Sequence, residues 1–128
     1  MKNNTNIPSH YQTVMPYLIL PDVSVFIAFT RAVFDAEEKV KHMDDNERVM
    51  HAEIIIGDST IMAGESNEQW NPQPAGLYIN VEDADKTYKK ALEAGASSVM
   101  EPSNQDYGRT CGVADPTGNT WWITSPVE

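Results

Sequence analysis

A histidine and a glutamate two residues apart, His51 and Glu53, are the clearest candidates for chemistry in this 128-residue sequence. They lie in a run rich in β-branched residues, and side chains two positions apart in a strand point to the same face. A carboxylate beside an imidazole can tune it as a general base or as a hydrogen-bonding anchor. The pattern predicts His51 and Glu53 as catalytic residues, and it equally fits a histidine that is hydrogen-bonded for structural reasons.

Arg109 and Cys111 form a second candidate pair with the same spacing. An arginine at the entry to a strand can hold a ligand carboxylate or phosphate bidentately, or it can form a surface salt bridge. A nucleophilic cysteine needs a lowered pKa and an adjacent base, and no lysine neighbours Cys111. Arg109 is therefore predicted to bind ligand, and Cys111 is predicted to be a small buried hydrophobe.

The charge balance narrows the choice of partners. Nine Lys and Arg against nineteen Asp and Glu give a net charge of −10. A nucleic-acid binder needs a cationic surface, so neither nucleic acid nor an anionic membrane is expected as a partner. A cationic or amphipathic small molecule suits the negative field better. The polar start, the lack of an apolar run of membrane-spanning length and the single cysteine predict a cytoplasmic protein.

Hydrophobic periodicity places these residues on an alternation of strands and helices that occurs twice. In the first half, Asp22 is predicted to cap a helix over 22–35, and strands are predicted over 15–20, 37–43, 48–56 and 59–64. In the second half, Asp83 or Asp85 is predicted to cap a helix that stops at Gly95. The accompanying strands are predicted over 76–81, 97–101, 108–114 and 120–125.

The repeated order predicts an α+β protein in which two βαβββ modules form one domain over residues 14–128. Module one spans 14–64 and module two spans 76–126. Between them, residues 65–75 contain two prolines and few apolar residues, which is typical of a linker. Residues 1–13 are predicted to be a polar N-terminal arm.

Strand parity collects aromatic and polar side chains on the face of the strands that points away from the helices. This predicted face carries Met15, Tyr17, His51, Glu53, Tyr78, Asn80 and Trp122. Trp121 must point the other way, into the core, and Trp70 lies in the linker, where an aromatic residue can cover a ligand. Such a mixture is typical of a concave ligand site, with a dimer interface or plain solvent surface as the alternatives.

Four segments resemble the glyoxalase/bleomycin-resistance family, also called the vicinal oxygen chelate superfamily, and its PhnB-like branch in particular. They are residues 14–18, 32–38 (with Asp35 where a glycine is usual), 51–59 and 107–123, the last containing the sequence Asp115-Pro116-Thr117-Gly118-Asn119. The resemblance implies paired βαβββ modules whose mixed sheets curl around a cleft, usually in a homodimer. It also implies four metal-ligand positions, one on the first strand and one on the last strand of each module.

In this sequence the implied metal positions are occupied by Met15, Met62, Gly76 and Trp122. Thioether sulfur is a soft ligand, and glycine and tryptophan side chains do not coordinate metals. The resemblance therefore predicts no metal and no other cofactor. It leaves Met62 as a ligand-contacting residue beside Tyr17, Trp70, Tyr78, Asn80, Arg109 and Trp122.

Three functions fit these observations. The first is a metal-free homodimer that binds and sequesters a small molecule by stacking it on aromatic side chains. The second is a glyoxalase-like enzyme of lyase, isomerase or dioxygenase type, which acts on a small carbonyl or oxygenated substrate with His51 or Glu53 as base. The third is a dimer with a structural or regulatory role. The missing metal ligands favour binding over catalysis, and a fold by itself does not fix a function.

Overall fold

The computed structural model describes residues 7–127 and contains two βαβββ modules in one chain. Module one consists of β1 (Tyr17–Leu20), α1 (Val23–Phe34), β2 (Glu37–Met43), β3 (Val49–Ile56) and β4 (Ser59–Glu65). Module two consists of β5 (Gly76–Asn80), α2 (Ala84–Glu93), β6 (Ser97–Gln105), β7 (Gly108–Ala114) and β8 (Thr120–Ser125). The predicted element order and the α+β fold class are confirmed.

Each module forms its own four-stranded mixed sheet, and the two sheets have the same strand order. The first sheet runs β1-β4-β3-β2 and the second runs β5-β8-β7-β6. In each sheet the edge strand before the helix pairs in parallel with the last strand of the module, and the other pairs are antiparallel. Both sheets are open, because the two edge strands of each sheet do not pair with one another.

The two helices begin with the same cap. The side chains of Asp22 and Asp83 accept hydrogen bonds from the backbone N–H groups of Val25 and Lys86, each three residues along the chain. Aspartate is favoured at this position because its carboxylate satisfies an N–H that has no partner in the first turn. Each helix then covers one face of its own sheet, and the helices contact one another. Within residues 7–127, no helix lies on the other face of either sheet.

Two predicted strand boundaries are wrong by two residues or more. Strand β1 begins at Tyr17, so Met15 lies in the segment that leads into the sheet. Strand β6 does not stop at Glu101 but continues through Pro102 to Gln105. Its pairing with β7 is irregular between Met100 and Ser103, and a proline is tolerated in a strand at such a point because its nitrogen need not donate to the ladder.

Asp35 ends helix α1 in the left-handed conformation, with φ 57° and ψ 36°. This conformation favours glycine, which explains why a glycine is usual there in the family that the sequence resembles. Its carboxylate also lies at the negative end of the helix dipole. Both effects oppose aspartate at this position.

Replacing Asp35 by glycine is expected to raise the free energy of unfolding by about 0.5–1 kcal/mol. The strain and the charge at the helix end disappear, and the greater backbone freedom of glycine in the unfolded chain offsets part of the gain. Urea unfolding measures the difference. Asp35→Asn is the matched control, because it removes only the charge and should give a smaller gain. A glycine variant no more stable than the wild type would contradict this account.

Within residues 7–127, no helix is both long enough and apolar enough to cross a membrane.

Candidate functional site

The uncovered face of the first sheet carries a hydrogen-bonded pair from two of the predicted site residues. The hydroxyl of Tyr17 on β1 lies 3.1 Å from Nδ1 of His51 on β3, and the two rings are tilted against each other at 5.6 Å. His42 on β2 stacks on the other side of His51 at 6.5 Å. Strand pairing puts Tyr17 opposite Met62, and Met62 opposite Glu53, so these residues share one row and one face.

Glu53 is not open to a ligand on this face, because the N-terminal arm covers it. The residue is only 4% exposed, and three donors reach its carboxylate. His10 lies 3.1 Å from Oε1, the Tyr11 hydroxyl donates to Oε2 at 2.7 Å, and Nε2 of His51 lies 2.8 Å from Oε2. Strand parity places Glu53 on the correct face, but it does not show that the N-terminal arm covers it.

The environment fixes the protonation of this network. Burial alone would raise the pKa of Glu53, but the hydrogen bonds from His51, Tyr11 and His10 together lower it below its usual value. An ionised carboxylate only accepts, so Nε2 of His51 donates to Glu53. In the neutral imidazole Nδ1 then accepts the Tyr17 hydroxyl. Burial and the nearby charge of Glu53 raise the pKa of Tyr17, so its phenol stays protonated at neutral pH. The Tyr17 hydroxyl is therefore a hydrogen-bonding group rather than a nucleophile.

A cavity of about 460 Å³ opens beside this pair, between the sheet and the linker. Its apolar walls come from Tyr17, Ile19, Val49, Met50 and Trp70, and Gly64 forms part of its floor. A Cβ on Gly64 would lie 2.8 Å from the backbone oxygen of Met50 and 3.3 Å from the Tyr17 hydroxyl. Glycine is therefore required there, and this size and lining are typical of small-molecule sites.

Local turns position the rim of this cavity. The side chain of Asn67 accepts hydrogen bonds from the N–H groups of Gln69 and Trp70, which brings the indole of Trp70 over the cavity. Arg48 is paired with Glu65 at 3.2 Å and donates to the carbonyl of Ser66 at 2.7 Å. The linker residue Trp70 is 52% exposed and lines this cavity, and its contact with a ligand stays a prediction.

The uncovered face of the second sheet carries the other predicted aromatic pair. Tyr78 on β5 and Trp122 on β8 are direct neighbours in the parallel ladder, and Asn80 follows on the same face. The indole of Trp122 lies flat against Gly112 on β7, since a Cβ there would lie 2.7 Å from a ring carbon. Tyr78 is 58% exposed and Trp122 is 37% exposed, so this aromatic surface is open to stacking.

Among residues 7–127, Tyr17 and Trp70 line one cavity, and Tyr78 and Trp122 lie outside it. The parity of the tryptophan pair is confirmed, because Trp121 is only 2% exposed and its indole N–H donates to Asp115 at 2.8 Å.

Arg109 lies on the opposite side of the second sheet from the other predicted ligand-binding residues. It shares the helix-facing parity of Cys111, and its guanidinium holds Asp85 of α2 bidentately at 2.8 and 3.0 Å. The salt-bridge alternative describes this contact, and the helix-facing position separates Arg109 from Trp122. Ligand binding by Arg109 stays a prediction. Cys111 is fully buried, which raises the pKa of its thiol to about 11, so it behaves as a small hydrophobe.

The donor set of the described residues does not form a metal centre. No group of three or more His, Cys, Asp or Glu side chains in the part of the chain that the structure describes is arranged to hold a metal ion. His10 and His51 direct their nitrogens at Glu53 as hydrogen-bond partners instead. Met62, the only one of the implied metal positions on this face of the first sheet, lies between Tyr17 and Glu53 and offers a thioether.

Comparisons with known proteins agree with this architecture. The model of the Glyoxalase/Bleomycin resistance protein/Dioxygenase superfamily matches residues 9–123. The chain therefore belongs to this superfamily. Mb0911c, an uncharacterised protein of Mycobacterium bovis, is 29% identical to this chain, and the alignment covers 88% of this chain and 82% of that protein.

Solved structures share the fold at lower identity. A putative 3-demethylubiquinone-9 3-methyltransferase from Bacillus cereus, described as a PhnB protein, aligns with a TM-score of 0.71 and 18% identity, covering 89% of this chain and 99% of that one. TnmS3, an antibiotic binding protein from Streptomyces sp. CB03234, aligns with a TM-score of 0.70 and 19% identity, covering 96% and 99%. At such identities the likeness shows the fold alone.

Proposed function

We propose that this protein binds and sequesters a small, planar, largely apolar molecule. The observation that carries the proposal is the cavity of about 460 Å³ between the first sheet and the linker, walled by Tyr17 and Trp70. Aromatic side chains bury large areas and stack on planar ligands, so two of them at one cavity favour such a ligand. The fold shared with an antibiotic binding protein supports the same class of function.

A homodimer is the second part of the proposal. Within one chain, Tyr78 and Trp122 are exposed and lie outside the cavity that Tyr17 lines. A second copy that places its second-sheet face over that cavity would bring both aromatic pairs onto one ligand and remove an exposed aromatic surface from water. The resemblance to a family that usually forms homodimers supports this arrangement, and the cytoplasmic location stays a prediction of the sequence.

Catalysis is the less favoured function. A general base needs a free lone pair near the substrate, but both oxygens of Glu53 are engaged by His10, Tyr11 and His51. The phenol of Tyr17 stays protonated, so it is suited to donating a hydrogen bond to His51 or to a ligand. The same network, read as a binding surface, supplies polar groups beside an apolar cavity.

A thermal-shift panel of planar aromatic compounds, neutral and cationic, tests the proposed function. A ligand present at a hundred times its Kd is expected to stabilise the protein by about 2.7 kcal/mol, because it binds only the folded state. Trp70→Ala is expected to lose most of this stabilisation, whereas Leu92→Ala, an exposed apolar residue on α2 outside the cavity, should retain it. A panel without any stabilising compound, or equal loss in both variants, would count against the proposal.

A further inference from the structure

The described part of the N-terminal arm lies across the face of the first sheet that points away from helix α1. We call residues 8–12 the strap. Besides the bonds from His10 and Tyr11 to Glu53, the side-chain amide of Gln12 exchanges two hydrogen bonds with the backbone of Thr60, at 2.9 and 3.2 Å. The Thr60 hydroxyl also donates to the carbonyl of His10. Side-chain hydrogen bonds from three consecutive residues thus hold the strap directly over the Glu53 carboxylate.

Hydrogen bonds rather than core packing hold the strap. None of the residues 7–16 is buried, and Ile7 is largely exposed. Opening the strap exchanges its hydrogen bonds for bonds to water, and each bond to the charged Glu53 then costs about 1.5–3 kcal/mol. No core side chain has to be exposed, so a segment held this way opens locally. The cover over Glu53 is therefore removable without unfolding either module.

Glu53 has donors but no permanent cation. Among residues 7–127 its ion-pair partners are the two histidines His10 and His51, and neither a lysine nor an arginine reaches it. Burying a carboxylate without a paired charge is costly, even with hydrogen bonds to it. A cation delivered to Glu53 from outside would gain a strong charge-assisted contact.

The carboxylate lies within reach of a ligand in the aromatic cavity. Tyr17, Met62 and Glu53 are successive partners across β1, β4 and β3. Neighbouring strands are about 4.8 Å apart, so Glu53 begins about 10 Å from the Tyr17 backbone. The cavity that Tyr17 lines includes neither Met62 nor Glu53. A planar molecule stacked on Tyr17 therefore needs an extension past the Tyr17–His51 pair and across Met62 to bring a charged group to Glu53.

We infer that Glu53 is the acceptor for a cationic group with several N–H donors, such as an amidinium or guanidinium, on the ligand of the first-sheet cavity. The strap occupies this position in the free protein, with His10 and Tyr11 supplying the donors that the ligand would replace. The inference rests on the proposed function, because the aromatic part of the ligand is placed by that cavity. The net charge of −10 adds a field that attracts a cation.

Benzamidinium and its neutral analogue benzamide test the charge recognition. Both have the same ring, so the aromatic cavity should accept both, and only the first carries a cationic pair of donors. In NMR titrations of the full chain, benzamidinium is expected to bind more tightly. Glu53→Gln is expected to weaken benzamidinium by about tenfold or more while changing benzamide by less than about twofold.

Tyr11→Phe tests the strap, because it keeps the ring and removes one donor to Glu53. It is expected to tighten benzamidinium binding by about tenfold, since a hydrogen bond to a charged group no longer has to be broken. Tyr107→Phe, at an exposed tyrosine outside this network, is the matched control and should change nothing. The resonances of His10 should shift on addition of benzamidinium in the wild-type protein.

The outcomes separate the inference from the proposed function. If both probes bind equally and Glu53→Gln changes neither, the inference is overturned and the aromatic site stands. If Tyr11→Phe lowers the stability but leaves the affinity for benzamidinium unchanged, the strap is only a structural element and the inference is again overturned. If neither probe binds, the inference fails together with this aromatic site.

Discussion

Replacing Asp115 by alanine is expected to lower the free energy of unfolding by about 3 kcal/mol or more. This carboxylate is buried at 6% exposure and accepts five hydrogen bonds. Its Oδ1 accepts from the backbone N–H and hydroxyl of Thr117 and from the N–H of Asn119. Its Oδ2 accepts from the side-chain amide of Asn119 and the indole of Trp121. The variant leaves these donors without an acceptor, and each unsatisfied buried donor costs about 1–3 kcal/mol.

The loss of Asp115 also affects the linker, which lies outside this turn. Asn119, oriented by Asp115, accepts a hydrogen bond from the N–H of Ala75 at 2.9 Å, where the linker enters β5. Chemical denaturation measures the loss of stability. Asp115→Asn should cost less, because it keeps one acceptor oxygen. Asp45→Ala, at an exposed aspartate in another turn, should change the stability by less than about 0.5 kcal/mol. A stable Asp115→Ala variant would show that the cluster does not hold the second module together.

Most of the fold could be predicted because its signals are local. The capping residues Asp22 and Asp83 indicate where the two helices begin. Strand parity correctly assigns the tryptophan pair, with Trp121 buried and Trp122 on the face away from the helices. Such signals depend on neighbouring residues and on a period of two or 3.6, which a single sequence displays. The strand end at Pro102 is wrong because a long-range irregularity with β7, invisible locally, makes room for the proline.

The candidate site is only half predictable, for a physical reason. Parity states which face of a strand a side chain occupies, but it does not state what covers that face. His10 and Tyr11 lie more than forty residues from Glu53 in the sequence, and nothing in the polar arm indicates that it returns to β3. One weak signal exists in retrospect, because a buried carboxylate requires donors, and the arm contains a histidine next to a tyrosine.

For Arg109, the residue type alone does not decide between two kinds of contact. An arginine at a strand entry is equally suited to a ligand anion and to a helix carboxylate. The choice depends on Asp85, which is 24 residues away and comes into reach only when α2 lies on β7. Since the parity of Arg109 equals that of the buried Cys111, the sequence did contain the evidence that it faces the helix.

The adjacent tryptophans give the largest contrast between stability and binding. Trp121→Ala is expected to lower the free energy of unfolding by about 3–5 kcal/mol, because it empties a large buried volume. The lost indole packs against Phe34 of the first module at 4.6 Å and donates to Asp115. Trp121→Phe keeps part of the volume and should cost less. Both effects are measured by urea unfolding.

Trp122→Ala is expected to change the stability by less than about 1 kcal/mol, because the indole lies on the surface over Gly112. In the proposed dimer it should nevertheless weaken binding of a planar aromatic ligand by about 2 kcal/mol or more, the usual threshold for a residue that dominates an interface. Isothermal titration gives the affinity, and light scattering on the same samples shows whether the oligomeric state has changed. If Trp121→Ala leaves the stability intact and abolishes binding while Trp122→Ala unfolds the protein, the assignment of the two faces is reversed. If Trp122→Ala leaves both the affinity and the dimer unchanged, the second-sheet face does not take part in the ligand site.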